Sequence, residues 1–323
     1  MTDLVPELER VRTLDQAQAQ AQAQARERYV ADICRLHSSL DFRALPDHIV
    51  GEPLHYAHDP VDELVTLSVQ DDQLPLRYLN GIMGFRLVQY LRLGWMSPRL
   101  MYERAVFRET VRHPEGVQNI HTVSLCTRTG RIDGYISLGC SQDPVSLPLD
   151  DPGRRRFATE EAHGIDLLGQ FAADGMGTHQ AFEIKRFLRN LDLPAEPRTE
   201  RVSWRLLASL GRVVAAAEAS NRMRVLLGDA KEKVAVRHFR LMGFPLQIAR
   251  GTSPRLPETD LMSPIYQQDV NAVPFVARVH DDLDDYVDLV EEYLAGGPDA
   301  PTLAKLVATM SRRAGARRVK EAS

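Results

Sequence analysis

The densest run of chemically capable side chains lies between residues 183 and 224. Phe182-Glu183-Ile184-Lys185-Arg186-Phe187 places a carboxylate, an amine and a guanidinium side by side, and Arg189, Arg198, Arg201, Ser203 and Trp204 follow closely. Glu183 to Arg224 holds nine Lys or Arg against five acids, a local +4 in a chain of formal net charge −4. Guanidinium groups bind phosphate or carboxylate in bidentate fashion, so the stretch suits an anionic ligand. The same residues also suit a bland reading: Arg201, Arg205 and Arg212 as the solvated face of a helix, and Glu183 as an ion pair with Arg186 or Lys185. His238 is a further candidate, as a general acid–base or as an ordinary surface or core histidine. Thr199 and Glu200 are placed to cap the helix that must carry the arginines.

Several easy assignments are absent. The chain has no dinucleotide-binding GxGxxG, no P-loop, no HExxH and no GxSxG. His55 and His58 are the one histidine pair with ligand-like spacing, and two ligands without a third do not make a metal site. Cys34, Cys126 and Cys140 form no CxxC pair, which fits a reducing compartment and gives no zinc framework.

Composition sets the class. The 323 residues are 44% hydrophobic and 26% charged, enough apolar material for a large core. The balance of charge excludes a histone-like coat for nucleic acid. No stretch approaches the roughly 18 to 20 apolar residues of a membrane span and no leader-like segment opens the chain, so the expectation is a cytoplasmic protein without a membrane partner.

The elements follow from periodicity. Five Gln-Ala copies at 16–25 favour helix without an apolar stripe, and Tyr29, Ile33, Leu36 and Leu40 then supply a buried face over 26–40. Residues 41–72 read poorly, with a short strand expected inside 61–69. A helix over 76–93 ends at Gly94-Trp95-Met96-Ser97-Pro98, and a shorter one is expected over 99–111. After a turn at 114–116, residues 120–127 and 131–138 alternate as a hairpin across Thr129-Gly130. A helix is expected within 160–173. Strand 181–188, helix 200–218 and strand 222–227 then imply a right-handed parallel crossover. Helix 231–241, strands 245–249 and 274–279, and an acidic helix over 282–294 capped by Asp281 complete the order. The net +4 segment 311–323 reads as a disordered tail.

This order, with Arg222–Phe244 ending in Phe239-Arg240-Leu241-Met242-Gly243-Phe244 and a hairpin strand opening at Gly134, resembles the GNAT acyltransferase superfamily over about half the chain. Phe182-Glu183-Ile184-Lys185-Arg186-Phe187 is similar to the Glu-x-Ser-Arg-Phe strand of its autoinducer-synthase-like branch, which includes N-acyl amino acid synthases, with Lys185 where serine is common. The resemblance implies a mixed α/β fold, a twisted sheet flanked by helices. It divides the chain into an N-terminal helical extension and linker (1–75), an acyltransferase core (76–280), and an acidic helix with a basic tail (281–323).

It also implies roles. Glu183 would be the base beside the acceptor cleft and His238 a lesser acid–base candidate. Arg186 would hold Glu183 or a substrate carboxylate. Arg189, Arg198 and Arg201, near the expected helix start, would bind the donor's phosphates, and Ser203 and Trp204 would line the pantetheine path. Tyr135 and Ser137 lie on the strand that presents backbone to donors. Two family features are missing: the interval 189–201 has no glycine turn to expose amides to a pyrophosphate, and Phe239 stands where a tyrosine acid is common.

The expected activity is an N-acyltransferase moving an acyl group from coenzyme A or an acyl carrier protein to a small-molecule amine, in specialised biosynthesis, with no tightly bound cofactor. Phe85, Tyr90 and Trp95 either floor an acyl pocket or pack the core. An aminoacyl-tRNA donor, suggested by Arg154-Arg155-Arg156 and the basic tail, and a non-catalytic binding protein on the same fold are the alternatives.

Overall fold

The computed structural model describes residues 4–109, 116–216, 223–231, 235–252, 254, 256–267, 272–296 and 300–321, with side chains described from 16 to 316. Pro114, Glu218, Arg222 and Glu232, expected in turns or near the ends of elements, lie outside them. The order is α1 (Leu4–Ser38), β1 (His55–Asp59), β2 (Leu64–Gln70), α2 (Leu76–Arg92), α3 (Pro98–Glu103), β3 (Val117–Cys126), β4 (Ile132–Ser141), α4 (Ala158–His163), β5 (Ala181–Arg189), α5 (Pro197–Ala216), β6 (Val225–Lys231), α6 (Ala235–Leu241), β7 (Gln247–Ile248), β8 (Ala272–Arg278), α7 (Leu283–Ala295) and α8 (Leu303–Glu321).

Among the described residues, eight strands join one sheet in the order β1-β2-β3-β4-β5-β6-β8-β7. Every pairing is antiparallel except β5 with β6, the pair joined through α5 as the crossover pattern requires. The fold is therefore mixed α/β, a sheet flanked by helices with a long N-terminal helix, as expected. β1 and β2, from the segment that read poorly, pair at the edge of the same sheet.

Alternation along the strands divides two apolar layers. Ile136, Leu138, Phe182, Ile184 and Phe275 pack against Val202, Leu206 and Leu210 of α5, with Val287 of α7 and Leu306 and Met310 of α8 completing that core. On the other face, Val123, Leu125, Tyr135 and Leu188 meet Ile82, Phe85 and Tyr90 of α2. A third cluster, with Leu149, Phe157 and Leu168 over Ala181, Val225 and Leu227, covers the rest of that face.

Several expectations change. The tail is helical through Glu321, because Leu306 and Met310 are buried and the helix has an apolar face to anchor it. Leu36 is exposed, so α1 docks through Tyr29, Val30 and Ile33. The helix near 160 stops at His163, where Gly164 takes a left-handed turn. The helix after Pro98 stops at Glu103. α7 begins at Leu283, one residue later than expected, so Asp282 rather than Asp281 precedes it and makes no side-chain cap. The strand at 245–249 shrinks to two residues. Among the described residues no helix is long and apolar enough to cross a membrane.

Candidate active site at the strand fork

The parallel β5–β6 pairing lasts only from Ala181↔Val225 to Ile184↔Gly228. Beyond it each strand follows its other neighbour: β5 stays on β4 to Arg189, and β6 stays on β8 to Lys231. Gly228 sits at the last point of contact, where an added Cβ would come within 2.9 Å of the Ile184 carbonyl oxygen. The divergence opens a cleft of about 1370 Å³.

A β-bulge helps to open it. Ser137 pairs with Lys185 and Tyr135 with Leu188, so Arg186 and Phe187 oppose one residue of β4. Arg186 takes φ 61°, a left-handed conformation that costs a non-glycine residue on the order of 1–3 kcal/mol. Its side chain provides the compensation: Nε and Nη2 lie 3.0 Å from Glu109 Oε1. The other side of Glu109 is held by Arg86, whose Nε donates to Oε2 at 2.6 Å. Arg86 and Glu109 are both buried. Burial alone would raise the Glu109 pKa; the two guanidiniums outweigh it and hold the carboxyl below its ordinary range. Arg186 thus pairs with Glu109 rather than Glu183.

Glu183 lies on the cleft wall and is 1% exposed. The Thr159 backbone N–H donates to its Oε1 at 2.7 Å. Its Oε2 pairs with Lys185 Nζ at 3.3 Å. Burial pushes the Lys185 pKa down; Glu183 opposes the shift, and Arg186 and Arg86 add to it. Asp229, the one acid on the apolar strand β6, also lines the cleft. Its Oδ2 accepts from the Tyr266 hydroxyl at 2.6 Å and lies 3.3 Å from His163 Nε2, while His163 Nδ1 is 3.0 Å from Thr252 Oγ1. Burial and the neighbouring Asp229 push the Tyr266 phenol up, so it stays a donor.

Of the other expected site residues, Arg189, Ser203 and His238 line the cleft. His238 packs against the rings of Phe187 and Trp204 at centroid distances of 5.8 and 5.3 Å. Arg189 is exposed at the rim, as are Arg104 and Arg237. Arg198 and Arg201 do not line the cleft. Arg198 donates to Asp133 Oδ2 at 2.8 Å and to the Asp62 carbonyl at 2.9 Å. Arg201 pairs with Asp62 at 3.0 Å and donates to the Leu294 carbonyl. Arg205 and Arg212 are not a solvated face either: Arg205 is bound by Asp59 and Asp62, and Arg212 spans Asp284, Asp288 and Glu291 of α7.

Helix α5 begins at Pro197, and its first turn presents Glu200, a carboxylate, to the cleft. The Thr199 hydroxyl, expected to cap this helix, instead donates to the Pro194 carbonyl. Tyr135 and Ser137 are internal: the Tyr135 hydroxyl meets His121 Nδ1 at 2.7 Å, and Ser137 donates to the Lys185 carbonyl. Tyr90 and Trp95 line the cleft, with Met96, Leu256 and Met262 extending the apolar wall, whereas Phe85 is in the α2 core.

Arg198→Ala is expected to destabilise the fold by about 3 kcal/mol, measured by denaturant unfolding, because it leaves buried Asp133 without its partner. Ligand binding in the cleft should survive that change.

Sequence reasoning missed Asp229, Tyr266, Thr159 and Glu109. A lone acid in the strand Val225–Lys231 was a usable signal for Asp229. Tyr266 and Thr159 reach the cleft from segments without periodicity, and nothing local marks them.

No protein-family model matches the chain, and no curated protein matches it. Among solved structures it is similar to the crystal structure of the AHL synthase LasI, with 11% identity and a TM-score of 0.41 over 67% of this chain and 90% of that one. A likeness of this degree concerns architecture and carries no argument about chemistry.

Proposed function

We propose that the protein is an N-acyltransferase that moves an acyl group from a coenzyme A or carrier-protein thioester to the amine of a small molecule. The observation that carries this reading is the strand fork itself, where the buried Glu183 carboxylate, paired with Lys185, lines a large cleft. Aminolysis of a thioester needs a base for the amine, a protected carbonyl and a proton for the departing sulfur. Glu183 Oε2 is the base: Oε1 is anchored by the Thr159 amide, so the carboxylate cannot swing away. The apolar wall of Tyr90, Trp95, Met96 and Met262 excludes water and receives the acyl chain. Arg189 and Arg237 at the rim meet the donor phosphates. Thioester and amine are substrates, and the reading requires no resident cofactor.

The test is thermal stabilisation of the full chain by coenzyme A, short and long acyl-CoAs, acylated carrier protein and tRNA. Saturation at about 100 times Kd should add ~2.7 kcal/mol of stability. Acyl thioesters are expected to raise the midpoint, and Arg189→Ala should remove the rise. No shift with any thioester, or a shift with tRNA alone, would overturn the reading. The tRNA alternative loses part of its basis, since Arg154 is buried between Glu160 and Asp166 and cannot track a phosphate chain.

A further inference from the structure

We infer that Lys185 is the catalytic acid of the cleft, delivering a proton to the departing thiolate, and that Glu183 reloads it. The inference rests on the acyl-transfer reading above. Lys185 lines the cleft at the fork, with a side chain only 11% exposed. Its Nζ occupies the space left by the missing side chain of Gly139, where an added Cβ would lie 2.7 Å from it. That packing turns the amine back beside Glu183 instead of letting it extend into solvent. With Oε1 of Glu183 taken by the Thr159 amide, Oε2 is the oxygen that can exchange a proton with Nζ across 3.3 Å.

Other groups of the cleft are placed differently from Lys185: Lys231, which also lines it, holds its Nζ 4.7 Å from the centroid of the Trp95 ring. The Tyr266 hydroxyl donates to Asp229. Phe239 has no proton to give, and His238 packs among aromatic rings while Lys185 contacts the carboxylate.

The charges around Lys185 come from several elements, Lys231 of β6 among those lining the cleft. Glu183 and Arg186 share its strand; Arg86 projects from α2, with Glu109 between the two arginines. Cys140 on β4 stays a neutral thiol, since burial pushes its pKa up to about 12. Asp229, Tyr266 and Glu161 line the same cleft. Burial and the two arginines make the ammonium a stronger acid than a surface lysine, while Glu183 keeps it protonated before the reaction.

The step balances. Glu183 takes a proton from the neutral acceptor amine as its nitrogen forms the C–N bond to the thioester carbonyl carbon. The C–S bond breaks, and the sulfur takes a proton from the Lys185 ammonium. The proton on Glu183 then crosses to Lys185 and restores the starting state, so amine and thioester become amide and thiol.

Two measurements on the full chain test this. Competitive acetic anhydride labelling across pH, read by peptide mass spectrometry, should show Lys185 titrating below the ordinary lysine range, and lower still in Glu183→Gln. Lys185 titrating in the ordinary range, or unreactive at every pH, would overturn the inference. In thiol-release assays with an acyl-CoA and a panel of amines, Lys185→Arg should lower kcat by about 10²-fold or more. It should also remove the fall in rate at alkaline pH, since arginine does not surrender its proton. Wild-type kcat in Lys185→Met would equally overturn it. Failure of the acyl-transfer reading looks different: no thiol is released by the wild type with any donor and amine, which removes both proposals whatever the labelling shows.

Discussion

Glu183→Gln is expected to lower kcat for acyl transfer by about 10² to 10⁴-fold while leaving the protein folded. The amide can still accept the Thr159 N–H, so the side chain keeps its position. What it loses is the carboxylate oxygen that faces Lys185 and the cleft. Removing one partner of a buried pair usually strands a charge, at a cost of several kcal/mol. Here the cost is bounded, because Lys185 already has a lowered pKa and can shed its proton. A thermal melt should therefore show a modest change where kcat shows a large one. Activity within twofold of the wild type would remove Glu183 from the chemistry and leave it a structural acid.

The largest effect on stability is expected at Glu109. Its carboxylate is the shared counterion of Arg86 and Arg186, and Arg86 is buried to 1% exposure. Glu109→Ala leaves two guanidiniums facing each other in a low-dielectric interior, and arginine cannot neutralise itself. The expected loss is about 3–5 kcal/mol, read as a fall in the denaturant midpoint. The double variant Glu109→Ala with Arg86→Met should recover part of it by removing the stranded charge. A Glu109→Ala midpoint equal to that of the wild type would show that the network contributes nothing net.

The same carboxylate gives acid sensitivity with a definite sign. Its folded pKa lies below the ordinary range, so its contribution is complete above the unfolded pKa of about 4.3 and is lost as pH falls through the folded value. Stability of the wild type should fall over that acid window, and the Glu109→Gln variant should show less of the fall. An identical pH dependence in both would place the acid sensitivity elsewhere.

Elements that declare themselves by local spacing were legible in the amino-acid sequence. The hairpin of β3 and β4 followed from alternation around Thr129-Gly130, and α2 from its apolar period and the Pro98 stop. The β5–α5–β6 crossover followed from strand and helix lengths that permit only a parallel return. Glu183, Arg189 and Ser203 sit on β5 and α5, and His238 on the short helix α6; all four line the cleft.

The partner of each charge was decided by tertiary structure. Arg189, Arg198 and Arg201 look alike in a basic stretch, yet only Arg189 reaches the rim. Arg198 and Arg201 turn to Asp133 and Asp62, residues about 65 and 139 positions away, because burial of those acids demands a cation. The C-terminal segment shows the converse error. The charge of 311–323 reads as disorder, but those residues continue the helix that Leu306 and Met310 anchor in the core, and that burial offsets the entropy of ordering it. Spacing along the chain determines which faces an element has. What each face meets depends on contacts between distant segments, and there the desolvation of each charged group selects its partner.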